Sequence, residues 1–449
     1  MTAALVIGLA ATGEAVARRL RAEGVDVVVT DDQPGGAAYD ARSIAVRDAG
    51  ATLVESPSPA DYDALVADTD LVVPSPLVAE SHPAVQAARR RDVPVRSEID
   101  LAGERARVPI VAVTGTNGKT TVTTLTAAML SASGVRAAAA GNIGRTLLDA
   151  VDDDVDVLVA EVSSFQLAFA ETFAPAVAIL LAIADDHLDW HGSFDHYVWS
   201  KSRIFEHQRG KDLLVYDADD DIASRAAVHA PAGRVGVTRA ARAATYHVSR
   251  GELRTPEGRA LIAIKEMPRA LTHDVTNALA AAAAALDVGA TPDGVHDTLA
   301  SFATLPHRVT LVGEHRGVRY YDDSKATNPH AALSALASFE SVVLIAGGRN
   351  KGLDLGVLAT AADRIRAVVA IGEAAPEVIA AFDGVRPVTT APTMRDAVRT
   401  AAAASEPGDA VLLSPACASF DAYSGYAARG DDFAAEVRAL IEDEGVVAR

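Results

Sequence analysis

A single cysteine, Cys417, stands in 449 residues. It excludes an intramolecular disulfide and a Cys-based zinc site, and it suits a reducing compartment. No apolar run approaches the ~20 residues needed to span a bilayer. The opening MTAALVIGLAATGEAVARRL puts no basic leader ahead of its apolar run and reaches Glu14 soon after it, so it does not read as a secretory signal. Positive charge is also in short supply. Lys and Arg total 41 against 60 Asp and Glu, a formal net charge of -19, which argues against nucleic-acid binding and against an anionic membrane partner. A small anionic substrate would need local cations to capture it against that field. The expectation is a cytoplasmic protein acting on small molecules.

What is present fits a globular chain, with 49% hydrophobic and 22% charged residues and no long biased tract. The length is about three times a typical ~150-residue domain, so three modules are expected. Short apolar runs, among them LVIG, DVVVT, IVAVTG, DVLVAE, AVAILLAI, SVVLIAGG and DAVLLSPA, alternate with Ala-rich helical stretches. That is the pattern of parallel sheets with crossover helices. The predicted fold class is α/β with three domains. A polar connector near residues 103–109 and a Pro-containing turn near 302–317 suggest the divisions 1–106, 107–305 and 306–449. Ligand sites on such sheets lie at the carboxyl ends of the strands.

The stretch VAVTGTNGKTT, residues 111–121, is a compressed phosphate loop. The usual motif has its first glycine five positions before the Gly-Lys pair, where this chain has Val113; here the glycine comes late, at Gly115. The loop still follows an apolar strand and precedes a helical stretch, so backbone N–H groups and the positive helix end face a phosphate. Lys119 is placed for β- and γ-phosphates and Thr120 for Mg²⁺. Glu161, ending DVLVAE, and His187, in ADDHLDWHG, are candidates for further metal or phosphate contact, since Mg²⁺ prefers oxygen donors and imidazole binds metals. The N-terminal VIGLAATG, with Gly8, Ala10 and Gly13, resembles a dinucleotide fingerprint, but Ala10 replaces the glycine that permits closest approach to a pyrophosphate. A tight turn, a nicotinamide site and a UDP-sugar site all remain open there. DADDD, residues 217–221, lacks EF-hand spacing and reads as a solvated loop.

Taken together in order, GTNGKTT, GNIG at 141–144, EVSSFQL at 161–167, DDHLDWHG, SKSRIFE, NALAA at 277–281, PHRV at 306–309, DDSKATNPHAA at 322–332, AGGRNKG at 346–352 and SPACASFD at 414–421 resemble the Mur ligase family of peptidoglycan synthesis, over essentially the whole chain. The resemblance implies a Rossmann-like N-terminal domain for a UDP-sugar, a central P-loop ATPase-type domain, and a Rossmann-like C-terminal domain for an amino acid. It implies ATP-dependent amide formation through an acyl phosphate, with the D-glutamate-adding branch favoured by DDSKATNPHAA and SPACASFD. The substrates would then be UDP-N-acetylmuramoyl-L-alanine and D-glutamate, the enzyme a monomer.

Residue by residue, the resemblance implies ATP contacts from Gly115, Thr116, Asn117, Gly118, Lys119, Thr120, Thr121, Asn277, Arg308 and Asp323. Two Mg²⁺ sites would use Thr120, Glu161, His187 and Lys201, the last as a CO₂-derived carbamate. The UDP-sugar and acyl-phosphate side would take Gly8, Thr12, Asp31, Asp32, Ser75, Asn142 and Ser163. Lys325 would face the phosphate, and Thr327, Lys351, Ser419 and Tyr426 the amino acid. Closure of the third domain over ATP is a further expectation. Two departures concern the first domain: VTDDQPGG brings two acids and no nearby arginine, and Leu77 stands where relatives place glycine after Ser-Pro. The alternatives are a ligase of the same architecture using L-glutamate or another residue, a folylpolyglutamate synthase-like enzyme, an NAD-dependent oxidoreductase using GLAATG, or a nucleotide switch.

Overall fold

The computed structural model describes residues 1–447. Its strands are short and mostly apolar, and they gather into three sheets. The first contains β1 (Ala3–Ile7), β2 (Asp26–Asp31), β3 (Thr52–Glu55) and β4 (Leu71–Pro74), all parallel, in the order β3-β2-β1-β4. The register pairs Ile7 with both Thr30 and Pro74. Gly8, Asp31 and Ser75 therefore emerge side by side at the carboxyl edge.

The second sheet holds β5 (Ile110–Thr114), β6 (Ala137–Gly141), β7 (Val157–Glu161), β8 (Val177–Leu180), β9 (Leu213–Asp217), β10 (Gly233–Thr238), β11 (Thr245–Ser249), β12 (Glu252–Arg254) and β13 (Ala260–Ala263), in the order β13-β12-β11-β10-β9-β8-β5-β7-β6. Every residue of β5, β7 and β8 is buried, as expected of parallel strands covered on both faces. Val113 pairs with Glu161 and Thr114 with Leu180, so the phosphate loop, Glu161 and the chain after Leu180 leave the same edge. The helix Thr272–Asp287 runs unbroken through Ala278–Ala285, all buried. A helix apolar all round must be enclosed.

The third sheet holds β14 (Thr310–His315), β15 (Val318–Asp322), β16 (Val342–Gly347), β17 (Ile365–Ile371), β18 (Val388–Thr390) and β19 (Ala410–Leu413), ordered β14-β15-β19-β16-β17-β18. Only the β14–β15 hairpin is antiparallel. One apolar cluster lies on Leu344, Leu358, Val368, Phe382 and Leu412, and another on Val343, Ile345, Val411, Phe433 and Val437. Neighbouring residues of one strand thus serve opposite faces.

These sheets distribute over two compact units. The first comprises Met1–Ile183, Asp195–Met267 and Val275–Ser301; the second comprises Ala184–Phe194, Pro268–Asp274 and the chain from Phe302. Within the first unit the expected polar connector, residues 103–109, begins as the last turn of the helix Glu98–Arg105, which a Ser97–Asp100 capping box opens, and is irregular from Ala106 to the start of β5. Its Arg105 pairs with Glu23 (2.7 Å), and Arg18 of the first helix pairs with Asp149 (3.0 Å). The DADDD run is also more ordered than a solvated loop. Asp217 is buried at the end of β9, Asp219 accepts from the Thr238 hydroxyl (2.5 Å), and Asp220 caps the helix Asp221–Ala227 through the Ala223 N–H (2.7 Å). Burial pushes the Asp217 carboxyl up to about 6.

Candidate active site

The phosphate loop is shaped by two glycines that no other residue replaces easily. Gly115 has φ +150 and a Cβ there would lie 2.6 Å from Leu181 Cβ; Gly118 has φ +86 and its Cβ would lie 2.6 Å from Asn277 Oδ1. Gly118 then caps the helix Lys119–Ala132, with Thr120 and Thr121 half-buried in its first turn. The close approach places the Asn277 side chain against the loop. Thr116 is pinned through its N–H to Ala182 O (2.9 Å), with its hydroxyl 3.2 Å from Tyr197 OH.

Two lysines converge here. Lys119 Nζ donates to Gly115 O (2.9 Å) and Thr116 O (3.0 Å), and Lys201 Nζ donates to the same Gly115 O (2.8 Å). Lys201 is only 1% exposed and lies over the Tyr197 ring, 4.5 Å from its centroid. Like charges sharing one neutral acceptor disfavour each other. An anion at this point is correspondingly favoured.

On the adjoining strand Glu161 is buried. Asn142 Nδ2 donates to its Oε1 (3.0 Å), while Oε2 is buried with no hydrogen-bond partner. An orphaned carboxylate oxygen is costly unless a cation reaches it, so this donor set fits a hard divalent metal. Among the described residues no group of three or more His, Cys, Asp or Glu forms a ready-made metal cage. Water and phosphate oxygens would complete the coordination, as Mg²⁺ prefers. Ser163 caps the next helix in a box with Gln166: Ser163 Oγ donates to Gln166 Oε1 (2.9 Å) and Gln166 N donates to Ser163 Oγ (3.2 Å).

At the first sheet's edge, Ser75 Oγ donates to Gly8 O (2.7 Å). Gly13 lies so close that a Cβ would sit 2.0 Å from Gly8 O, which explains the last glycine of the fingerprint as a packing requirement. Thr12 is half-buried in the first turn of the helix Ala11–Ala22. Asp31 accepts from Leu9 N (2.7 Å) and Gln33 N (2.9 Å). Asp32 accepts from Tyr62 OH (2.6 Å) and lies 2.9 Å from His82 Nε2. Against the desolvation that raises it, Tyr62 and His82 hold the Asp32 carboxyl below its ordinary range.

The second unit gathers the remaining candidates. His187 has φ +54 and caps the short helix Leu188–His191. Its neighbour Asp186 is buried, bonded by Lys351 Nζ and by Asn328 Nδ2 (3.0 Å). Desolvation raises the Asp186 carboxyl, but His187, Lys351 and Asn328 outweigh it and hold it low. Lys325 Nζ lies over the Tyr426 ring, 3.7 Å from the centroid. Thr327 is half-buried in the same loop as Lys325, and Ser419 is buried after β19. Asp323 accepts from Ser414 Oγ (2.7 Å) and Val309 N (3.3 Å), beside Arg308; burial pushes it up to about 7.

Tyr62, His82, Glu98, Gln166, Asp186 and Arg429 were not singled out from the sequence as site or supporting residues. Asp186 carried a signal in its place beside His187. Gln166 carried one in the Ser163-to-Gln166 spacing of a capping box, and the others carry none, since their partners lie far along the chain.

Comparison with known proteins supplies the family. The Mur ligase middle domain matches residues 113–285, and the Mur ligase, glutamate ligase domain matches residues 307–417. A UDP-N-acetylmuramoylalanine--D-glutamate ligase of Frankia casuarinae is 42% identical, covering 97% of this chain and 93% of that protein. The protein of that name from Desulfosudis oleivorans is 40% identical, covering 98% and 97%. The solved UDP-N-acetylmuramate-alanine ligase MurC of Thermotoga maritima shares the fold at a TM-score of 0.58 and 20% identity, over 98% of this chain and all of that one. MurF of Acinetobacter baumannii does so at 0.59 and 17%, over 91% and 86%. The chain belongs to the Mur ligase family, within the group whose curated members are named UDP-N-acetylmuramoylalanine--D-glutamate ligase.

Proposed function

We propose that the protein joins D-glutamate to UDP-N-acetylmuramoyl-L-alanine at the cost of ATP, in peptidoglycan precursor synthesis. The observation that carries this is the pair of ammonium groups, Lys119 and Lys201, on the Gly115 carbonyl beside the orphaned Glu161 Oε2. It is a place for a phosphate and a divalent cation together. In this reading residues 1–106 take the UDP-sugar, 107–305 the ATP and 306–449 the amino acid, in a cytoplasmic monomer.

A carboxylate lacks a leaving group. Its oxygen attacks the γ-phosphorus, the bond to ADP breaks, and the resulting acyl phosphate carries phosphate as its leaving group. The amine of glutamate then attacks the acyl carbon, phosphate departs, and the amine proton passes to a base. Lys119 holds the phosphate oxygens through the transfer, and Lys325 meets the departing phosphate. Asn142 orients Glu161. Mg²⁺, when bound at Thr120, Glu161 and His187 in two sites, supplies charge neutralisation between two anions. Lys351, Thr327, Ser419 and Tyr426 receive the amino acid, a cation with hydroxyl donors suiting a dicarboxylate. Asn277, Arg308 and Asp323 serve the nucleotide, and Gly8, Thr12, Asp31, Asp32, Ser75 and Ser163 the UDP-sugar side.

The crowding at Gly115 O also supports a carbamate on Lys201. Once the Lys201 ammonium has lost a proton, the neutral amine adds CO₂ and releases a second proton, leaving an anionic carbamate in place of one of two converging cations, so repulsion from Lys119 becomes attraction. The test of the whole reading is phosphate release from Mg-ATP and UDP-N-acetylmuramoyl-L-alanine with D-glutamate, L-glutamate or neither, with product mass confirmed. Release with D-glutamate alone is expected. Release with L-glutamate alone would move the chain to another specificity, and release indifferent to both would make it a nucleotide hydrolase.

A further inference from the structure

The last helix, Tyr426–Val447, buries a guanidinium among loops that carry the proposed amino-acid site. Arg429 is 1% exposed, and it heads the fully buried side chains by volume. Buried arginines normally meet a carboxylate. This one donates only to neutral oxygens: Nε to Ser324 Oγ (2.9 Å), Nη1 to Cys417 O (3.1 Å) and Ala418 O (3.3 Å), and Nη2 to Ser324 O (2.9 Å) and Cys417 O (3.1 Å). All five donors of the group are thereby used.

Those oxygens belong to two loops, and a third is tied to them. Ser324 lies in the loop after β15, which carries Lys325 and Thr327. Cys417 and Ala418 lie in the loop after β19, which carries Ser419. Ala418 in turn exchanges backbone bonds with Arg349 (2.8 and 3.0 Å) in the loop after β16, which carries Lys351. Strand β19 sits between β15 and β16, so the three loops leave neighbouring strands at the carboxyl edge, where ligands meet such sheets. Ser324 Oγ also donates to Tyr426 O (2.8 Å), one turn before Arg429. Gly348 leaves the room: a Cβ there would lie 3.0 Å from Arg429 Nη1 and 2.3 Å from Ala418 O.

We propose that Arg429 is a positioning residue for the glutamate subsite, a rigid five-donor fork that sets the three loops bearing Lys325, Thr327, Lys351 and Ser419 in register. This rests on the amino-acid site assigned above. A planar fork suits the task because its donors have fixed directions, whereas a lysine offers a point charge with three rotatable donors. Burial lowers the Arg429 pKa to about 10, against opposing effects led by Cys417 and Asp421. The group stays cationic at neutral pH. Its charge lies behind a subsite built for a dicarboxylate.

The test compares wild type, Arg429→Lys and Arg429→Met by phosphate release, with KM measured separately for glutamate, ATP and the UDP-sugar. Wild-type dependence on D-glutamate is measured first, so failure of the functional reading is seen before any variant is used. Arg429→Lys is expected to raise the KM for glutamate at least tenfold, with the KM values for ATP and UDP-sugar within threefold, and Arg429→Met is expected to raise it further. An unchanged glutamate KM, or equal rises in all three, overturns the proposal. If neither variant folds, as judged by thermal unfolding, Ser324→Ala decides. It removes one acceptor of the fork, and a glutamate KM raised threefold or more supports the proposal while an unchanged one overturns it.

Discussion

Replacing Gly115 by alanine tests the phosphate loop where its geometry is tightest. The new Cβ would lie 2.6 Å from Leu181 Cβ and 3.2 Å from Leu181 Cα. Ordinary contact begins near 3.4 Å, so the loop must retreat by about 0.8 Å. Leu181 gives little way, because its N–H bonds to Thr114 O (3.0 Å) and the next carbonyl accepts from Thr116 N (2.9 Å). Overpacking of this kind costs about 1–3 kcal/mol, and the φ of +150 adds backbone strain of about 1–3 kcal/mol. The catalytic consequence is separate. Gly115 O receives both Lys119 and Lys201, so its displacement moves both cations from their shared position. A misplacement of ~1 Å costs roughly 10²-fold in rate, about 2.7 kcal/mol.

Steady-state phosphate release should therefore show kcat/KM for ATP reduced about 10²-fold in Gly115→Ala, alongside reduced stability to urea. Gly134→Ala separates the two effects. Gly134 has φ +81 with nothing within 4 Å of the added carbon, so it suffers strain without displacement and should keep wild-type kinetics. A folded Gly115→Ala enzyme with kcat/KM within threefold of wild type would refute the argument.

The buried Glu98 makes stability depend on pH. Desolvation pushes its carboxyl up to about 7, against lowering by the Leu148 N–H and Gln166, so the folded state holds the proton more tightly than the unfolded chain, near 4.5. The stabilisation is whole below 4.5 and is lost as pH rises through 7, up to about 3 kcal/mol in total. Glu98→Gln removes that dependence; urea unfolding of both proteins at pH 5 and 8 should show the glutamine variant gaining on wild type at the higher pH, and parallel curves would disprove the assignment. Lys201→Ala is expected to abolish most phosphate release and to recover part of it with added short carboxylates or bicarbonate, whereas full activity without them would remove the carbamate from the mechanism.

What was legible in the sequence was contiguous. The phosphate loop is a strand, a turn and a helix start within eleven residues, and each step announces itself by apolar run, glycine and periodicity. The strand β6 did not, because AAAAG is four residues of the best helix former; its place beside β7 makes it extended. The strands β10 to β13 and the β14–β15 hairpin were also not singled out, being short and partly polar. The supporting contacts are illegible for another reason. Glu98 meets Leu148 and Gln166 across 50 and 68 residues, and Arg429 meets Ser324 across 105. No local pattern encodes a partner at such a distance, and a lone Glu or Arg on a helix reads as a solvated side chain.

The acids of VTDDQPGG show how burial and partners revise a reading made from charge. Two adjacent carboxylates with no nearby arginine look hostile to a diphosphate. In the fold each is engaged by its own sheet. Asp31 takes two backbone N–H groups, closing the turn after β1 onto the end of β2, and Asp32 takes the Tyr62 hydroxyl and lies against His82, whose rings meet edge to face at 4.8 Å. Backbone donors and a phenol spread a carboxylate's charge without presenting a cation to solvent. The pair therefore works first as a latch on the carboxyl edge, Asp31 fixing Leu9 relative to Gln33 and Asp32 holding Tyr62 and His82. In the proposed reading, an anion at that edge would meet a fixed turn and the start of the helix Ala11–Ala22, so the missing arginine would bear on how the base is gripped, with the phosphates left to backbone donors.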